Sequence, residues 1–395
     1  MKNRDIIKLT DKYVAQTYAR FPVALVRGKG VRVWDADGKE YLDFVAGIAV
    51  NGLGHNHPAI VGAIQRQARK LIHVSNLYHI APQSELAAEL CRHSFADRVF
   101  FCNSGAEANE AAIKLARRYG GEWLGGKYEI LSTHNSFHGR TLATLTATGQ
   151  EKVRAGYDPL PEGFRQVPYN DLYAMERAIG EKTVGILVET IQGEGGVILP
   201  KEGYLTGLRE LCDRKKIVLI FDEVQVGMGR TGKLFAYEHY GVAPDVMTLA
   251  KSLGGGLPFG AMLAKQEVAR SFVPGSHAST FGGNPLACSV GLAVLKTLLQ
   301  KGVMRNCNRI GELLFEKLLL LKERFSIIRD VRGKGLIMGI ELDRPCGKIV
   351  EECLKEGLLI NCTANNVLRI IPPLILTKRD LDHGLAILEK VLARQ

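Results

Sequence analysis

From about residue 98 onward, the chain alternates short β-branched runs with segments of helical periodicity. Strands that alternate with helices favour a mostly parallel sheet with helices on both faces. The strand-like runs are RVFFC, YEILS, VGILVE, IVLIFDE, VMTLAK and GAMLA. Ligands of such sheets bind at the carboxyl ends of the strands. We therefore expect an α/β fold with a binding site at that edge.

Chemically notable residues follow five of these runs. The segments are CNSGAEANE, THNSFHGRT, ETIQGEGG, DEVQ and KSLGGG. Because parallel strands end at the same edge of a sheet, we expect the five segments to converge on one site.

The regions that flank this core predict a second, smaller domain. Near the amino terminus, VRGKGVRVWDADGKEYLDF is typical of a hairpin whose turn is Asp37–Gly38. After Pro285, an amphipathic helix is followed by mixed strand and helix patterns. We expect residues 1–60 to contribute to a small α+β domain at residues 291–395, with the large domain at residues 61–290.

Composition excludes several classes of protein. With 46% apolar and 24% charged residues, the 395-residue chain is typical of a globular protein with one large core and a smaller one. No apolar run approaches the roughly 18–20 residues of a membrane span, and no signal-like segment is visible. The eight cysteines run from Cys91 to Cys362 without a C-x-x-C pair. We therefore expect no membrane span, disulfide framework or structural zinc, and a reducing cytoplasm.

The net charge of +11 could indicate nucleic acid or small anionic substrates. The basic residues occur as short pairs, such as Arg117–Arg118 and Lys215–Lys216, without a dense run or interleaved aromatics. This pattern favours small anions over nucleic acid.

Three glycines, Gly227, Gly229 and Gly232, spell G-x-G-x-x-G after a strand-like run. A dinucleotide fingerprint needs its first glycine directly after the strand and an acid at the end of the next strand. Here DEVQV intervenes and the next run ends on Lys251. The glycines therefore predict a flexible loop over an active site, and an NAD-dependent dehydrogenase stays the remote alternative.

An acid and a lysine at strand ends carry more information. Asp222 follows IVLIF, where a carboxylate needs a cation, a hydrogen-bond donor or a metal. Lys251 follows VMTLA, where burial would lower its pKa and make the amine nucleophilic. The two could also form a plain salt bridge, but the surrounding segments favour chemistry.

Those segments supply an anion site and an aromatic ring. Asn103 and Ser104 are capping candidates for a helix whose first amides, at Gly105 and Ala106, suit a phosphate. In SFHGRT, Phe137 could stack on a flat ring, and the planar fork of Arg140 suits a substrate carboxylate. No acid or cysteine completes a metal site with His134 and His138, which we interpret as loop histidines.

Together, a phosphate anchor, a stacking ring, an acid and a buried lysine are what pyridoxal 5'-phosphate requires. The segment FDEVQVGMGRTGKLFAYEHYGVAPDVMTLAKSLGGGLPFGAML resembles the class III aminotransferases of the pyridoxal-phosphate fold type I group. The resemblance covers nearly the whole chain. It implies a mostly parallel seven-stranded sheet between helices and a small domain built from both chain termini.

The resemblance also implies roles for individual residues. Lys251 would be the Schiff-base lysine and proton shuttle, and Asp222 would pair with the pyridine nitrogen. The other cofactor contacts would be Phe137, Val224, Gln225, the amides of Gly105 and Ala106, and Thr280 of a partner subunit. That last contact implies a homodimer with shared active sites. Glu223 should point away, because neighbouring residues on a strand alternate in direction.

Within this family, AVNGLGHNHPAI, HVSNLYHIAPQSELAAEL and VLRIIPPL most resemble enzymes that move the δ-amino group of N-acetylornithine to 2-oxoglutarate, producing glutamate. Arg140, helped by Ser279, would then bind the α-carboxylate of the acetylated substrate. Glu194 would pair with Arg369 and serve as a gate. The alternatives are ornithine, succinylornithine, 4-aminobutyrate and aminoadipate-semialdehyde aminotransferases, and a purely structural Glu194–Arg369 pair.

Overall fold

The computed structural model describes residues 1–300 and 302–395. Within these ranges the strands are β1 Leu25–Lys29, β2 Arg32–Asp35, β3 Glu40–Asp43, β4 Arg98–Cys102, β5 Glu129–Thr133, β6 Phe164–Val167, β7 Thr183–Glu189, β8 Val218–Asp222, β9 Val246–Leu249, β10 Gly260–Ala264, β11 Ile328–Lys334, β12 Ile337–Leu342, β13 Leu358–Leu359, β14 Asn361–Thr363 and β15 Val367–Ile370. The helices are α1 Asn3–Tyr13, α2 Ala46–Ala49, α3 Pro58–Ala68, α4 Ala81–Arg92, α5 Gly105–Trp123, α6 Leu142–Ala147, α7 Glu151–Arg154, α8 Leu172–Ala178, α9 Tyr204–Lys215, α10 Gln266–Ala269, α11 Pro285–Gln300, α12 Val303–Arg324, α13 Gly347–Glu356 and α14 Lys378–Leu392. Two 3-10 helices span Ala236–His239 and Lys251–Leu253.

The large sheet has seven strands in the order β4-β10-β9-β8-β7-β5-β6. All neighbouring pairs are parallel except those of β10, which is antiparallel to both β4 and β9. The predicted mostly parallel α/β fold is therefore confirmed, and all six strand-like runs form strands of this sheet. The seventh strand, β6, is not predicted by an apolar run, because this edge strand buries only one residue, Val167.

Burial explains the sequence of the central strands. Strands β7 and β8 are buried along their whole length, because helices cover both faces of the sheet. Helix α5 lies close to the sheet and buries alanines on that face. A Cβ at Gly120 would lie 2.0 Å from the Lys127 carbonyl oxygen, so only glycine fits where helix α5 passes this close to the backbone of Lys127.

Two four-stranded sheets form the smaller part of the molecule, in the orders β1-β2-β3-β13 and β11-β12-β15-β14. The predicted hairpin is β2 and β3, with Asp37–Gly38 in its turn. Strand β13 pairs in parallel with β3, so residues near both termini share one sheet. The domain boundaries at residues 60 and 290 stay predictions, and helix α11 runs across the second one.

The expected absence of a disulfide framework did not anticipate one pair of cysteines. Cys346 and Cys362 form a disulfide with a Cα–Cα distance of 5.9 Å. They are 16 residues apart, and the chain brings them together by turning back after helix α13. Spacing alone could not show this pair, because tertiary structure closes the loop.

No single helix of the described ranges is long and apolar enough to cross a membrane. Helices α11 and α12 pass such a test only as a joined pair, and the two are bent by 65°.

Candidate active site

A cavity of about 490 Å³ opens at the carboxyl ends of the parallel strands. Residues from all five predicted segments line it. Those that matter below are Ser104, Gly105, Ala106, Phe137, His138, Arg140, Glu189, Glu194, Asp222, Val224, Gln225 and Lys251. The predicted convergence on one edge of the sheet is therefore confirmed.

Lys251 lies two residues beyond strand β9, with a left-handed backbone φ of 44°. A non-glycine residue in this region is strained and is often found at functional sites. Burial lowers the pKa of Lys251, and the charge of Arg369 adds to the shift, although three nearby carboxylates oppose it. Lowering the pKa of an amine increases its neutral, nucleophilic fraction.

Asp222 ends strand β8 and is only 4% exposed. Asn109 Nδ2 donates to its Oδ2 at 2.8 Å, and His138 Nδ1 lies 2.8 Å from the same oxygen. His138 Nε2 is buried without a partner among the described residues, so we assign the imidazole proton to Nδ1, facing Asp222. Thr248 in turn donates to Asn109 Oδ1 at 2.7 Å. The carboxylate is therefore held in one orientation.

His134 and His138 both lie on the loop after strand β5, as interpreted, but His138 is buried against Asp222 whereas His134 is exposed. Sequence reasoning also missed Asn109, which sits one turn into helix α5. Asn109, five positions after the cap Ser104, and His138 both gave weak signals in the sequence, because their partner Asp222 is more than 80 residues away.

Helix α5 points its amino terminus into the cavity. Ser104 is its N-cap, as predicted, and its side chain accepts from Glu107 N at 3.1 Å. The first two amides, at Gly105 and Ala106, have no carbonyl in a preceding turn to bind, so they are free to donate to an anion in the cavity. A Cβ on Gly105 would lie 2.7 Å from Val224 Cγ1, so the two residues are in close contact.

Glu194 and Gln225 line the cavity and bind the buried guanidinium of Arg369, which lies behind it. Glu194 Oε1 lies 2.5 Å from Nη1 of Arg369, whose side chain is 0% exposed. Gln225 Oε1 accepts from the same nitrogen at 3.0 Å. Burial opposes ionisation of Glu194, but the charges of Arg369 and Lys251 outweigh it and hold the pKa of Glu194 below its usual value. The predicted Glu194–Arg369 contact therefore exists in the structure.

Phe137 and Arg140 lie on the loop after strand β5. The guanidinium carbon of Arg140 is 5.6 Å from the centre of the Phe137 ring. Arg140 is exposed at the mouth of the cavity, so its guanidinium is accessible to an anion that enters.

Ser279 and Thr280 do not line this cavity. They lie on a second cavity of about 870 Å³, together with Phe101 and Gly282. Ser279 Oγ nevertheless reaches the start of helix α5, because Asn103 Nδ2 donates to it at 3.3 Å. The contacts that the resemblance implied for Ser279 and Thr280 are therefore not made within this chain.

Two further carboxylates lie at the end of the sheet. Glu189, the last residue of β7, lines the cavity, and burial and the charge of Asp222 raise its pKa to about 8. Burial also raises the pKa of Glu223 to about 8. The Glu223 side chain accepts from Ala236 N at 2.7 Å and from Tyr237 N at 2.6 Å, so the prediction that it points away is confirmed.

These residues fit pyridoxal 5'-phosphate by their donor chemistry. The Gly105 and Ala106 amides suit its phosphate, and the buried carboxylate of Asp222 suits a protonated ring nitrogen. Lys251 offers an amine for the aldehyde, and Val224 and Phe137 offer apolar surfaces for the ring. The site therefore contains a suitable group for each part of that cofactor.

Comparison with known proteins agrees with this chemistry. Residues 13–392 match the family model described as aminotransferase class-III. The acetylornithine aminotransferase of Caldanaerobacter subterraneus subsp. tengcongensis is 52% identical over 390 residues, which cover 98% of this chain and 99% of that protein.

Solved structures share the fold over the whole chain. An acetylornithine aminotransferase from Elizabethkingia anophelis has a TM-score of 0.89 and 35% identity, with 100% of both chains covered. An ornithine aminotransferase from Toxoplasma gondii, described with partial occupancy of pyridoxal phosphate at its active site, has a TM-score of 0.96 and 34% identity, covering 100% of this chain and 94% of that one. This chain therefore belongs to the class III aminotransferases, the family whose cofactor its cavity fits.

Proposed function

We propose that this enzyme transfers the δ-amino group of N-acetyl-L-ornithine to 2-oxoglutarate. The products are N-acetyl-L-glutamate 5-semialdehyde and L-glutamate, and the reaction serves arginine biosynthesis. One observation carries the proposal: Lys251, Asp222 and Arg140 line one cavity, and a second arginine, Arg369, lies behind it and pairs with Glu194 of the lining. Relatives of the chain at about half identity have this activity by name.

The chain itself would hold the cofactor and move protons. When bound, pyridoxal phosphate supplies a covalent acceptor for the amino group and withdraws electrons from the adjacent carbon. Asp222, oriented by Asn109 and His138, would keep a proton on the ring nitrogen. Lys251 Nζ would attach the cofactor and then carry a proton to and from the reacting carbon.

Two arginines would let one pocket accept two different substrates. Acetylornithine presents a δ-amine far from its α-carboxylate, and Arg140 at the mouth suits that carboxylate. Glutamate presents its α-amine next to the α-carboxylate, so it needs a cation close to Lys251. Arg369 would supply this cation once Glu194 swings aside, and Glu194 would neutralise it otherwise.

A homodimer with shared active sites belongs to the same proposal, as does the cytoplasmic location. The second cavity, with Ser279 and Thr280, lies next to exposed apolar residues, among them Leu77 at 84% and Phe281 at 62% exposure. We expect mixing of inactive Lys251→Ala and Thr280→Ala chains to restore activity. In a mixed dimer, one active site would combine the native Lys251 of one chain with the native Thr280 of the other. Failure of any mixture to gain activity would contradict the shared site.

A substrate panel tests the proposed activity. Purified enzyme is loaded with pyridoxal phosphate, and the change in its visible absorbance is followed with N-acetylornithine, ornithine, N-succinylornithine and 4-aminobutyrate. We expect the largest kcat/KM with N-acetylornithine. A clear preference for ornithine over its acetylated form would reject the substrate and leave the family assignment intact.

A further inference from the structure

Glu189 joins the two loops that carry the substrate-facing residues. Its Oε1 accepts from Phe137 N at 3.0 Å, on the loop that continues to Arg140. Its Oε2 accepts from Gly193 N at 2.9 Å, directly before Glu194. One carboxylate therefore connects the loop after β5 to the loop after β7.

The location of Glu189 makes this connection rigid. It ends strand β7, where its register partner on β8 is Asp222. It is 7% exposed, and Tyr169 OH donates to its carbonyl oxygen at 3.3 Å, which holds its backbone as well. Both backbone amides are donors only, so both need an acceptor, and the two oxygens of the Glu189 carboxyl group each bond to one of them.

We propose that Glu189 is a positioning residue that sets the place of Arg140 relative to the Glu194 gate. This inference rests on the proposed function. Because the Gly193 amide is anchored, movement of Glu194 away from Arg369 must begin beyond residue 193. Because the Phe137 amide is anchored to the same group, the loop that carries Arg140 keeps its place while Glu194 moves. A misplacement of about 1 Å at such a site can cost about 100-fold in rate.

Glu189→Gln tests the connection with almost no change in shape. The amide has one acceptor oxygen, so only one of the two backbone amides can stay bonded. The matched control is Glu223→Gln, because Glu223 also accepts from two backbone amides and is also buried, but its partners lie outside the cavity. We expect similar thermal unfolding for the two variants. We expect kcat/KM for N-acetylornithine to fall about tenfold or more only in Glu189→Gln.

A double-mutant cycle with Glu194→Gln separates positioning from general loss of structure. If Glu189 acts by placing the gate, its replacement should cost less once the gate charge is gone, by a factor of roughly three or more. Glu223→Gln should show no such coupling. Glu189→Asp repeats the test with the carboxyl group retained. A side chain one methylene shorter cannot span both amides, so we expect a loss in the same direction.

Several outcomes would overturn the inference. Equal effects of Glu189→Gln and Glu223→Gln, full activity of Glu189→Asp, or an undiminished loss in the Glu194→Gln background would each do so. If native enzyme fails to convert N-acetylornithine, the proposed function fails instead. If the native enzyme converts N-acetylornithine and the Glu189→Gln and Glu223→Gln variants convert it equally well, only the proposed role of Glu189 fails.

Discussion

Replacing Glu194 by Gln removes the charge of the proposed gate and keeps its shape. Removing one partner of a buried ion pair costs about 3–5 kcal/mol. The Gln carbonyl can still accept from Arg369 Nη1, which also bonds to Gln225 at 3.0 Å. We therefore expect a smaller loss, about 2–3 kcal/mol in the free energy of unfolding. With an unfolding entropy of about 2.1 cal/mol/K per residue, this lowers the Tm of a 395-residue chain by roughly 2–4 °C.

The same free energy predicts the effect on substrate choice. In the native enzyme, Arg369 must leave Glu194 before it can bind the carboxylate of glutamate. In Glu194→Gln the ionic part of this cost is gone, so glutamate gains relative to N-acetylornithine. Since about 1.4 kcal/mol corresponds to a factor of ten, we expect the ratio of the two half-reaction rate constants to rise about 30-fold or more in favour of glutamate.

Single-turnover absorbance changes measure this ratio directly, because each amino donor is mixed alone with the loaded enzyme. Glu223→Gln serves as the control for loss of a buried carboxylate, and its ratio should match that of native enzyme. A ratio in Glu194→Gln that stays within about threefold of the native value would refute the gate and leave Glu194–Arg369 as a structural pair.

Three further predictions follow from the same geometry. Lys251→Ala should lose the covalent link to the cofactor. After borohydride reduction and digestion, mass spectrometry should find the modification on the Lys251 peptide of the native enzyme and on no peptide of the variant. Gly105→Ala should weaken cofactor binding about tenfold, because the new Cβ would lie 2.7 Å from Val224 Cγ1 and overpacking costs about 1–3 kcal/mol. Titration with pyridoxal phosphate measures this affinity. Adding Val224→Ala should restore the affinity if the contact is responsible. Because the pKa of Glu189 rises from 4.5 to about 8 on folding, the folded apoenzyme binds a proton that the unfolded chain releases, and stability should fall as pH rises from 4.5 to about 8. Urea unfolding across that range should give a shallower pH dependence for Glu189→Gln, and an unchanged slope would contradict the raised pKa.

The amino-acid sequence by itself determined the features that depend on neighbours along the chain. The apolar runs predict six strands of the large sheet, and Asp222 and Lys251 stand at the ends of two of them. Ser104 caps helix α5 as its sequence predicts. These inferences hold because side chains point to the same face at a fixed interval in a strand or a helix, so the local sequence reveals which face is buried. The resemblance to a known family, not the pattern alone, pointed to Arg369.

Only the tertiary structure decided which distant side chains meet. Asn109 and His138 bind Asp222 across 113 and 84 residues, and Arg369 reaches Glu194 across 175. Glu189 is one more acid in an apolar run until its two amide partners are seen. No local period carries this information, because such partners are brought together by the packing of whole elements, and the energy of a buried charge depends on which group lies opposite it.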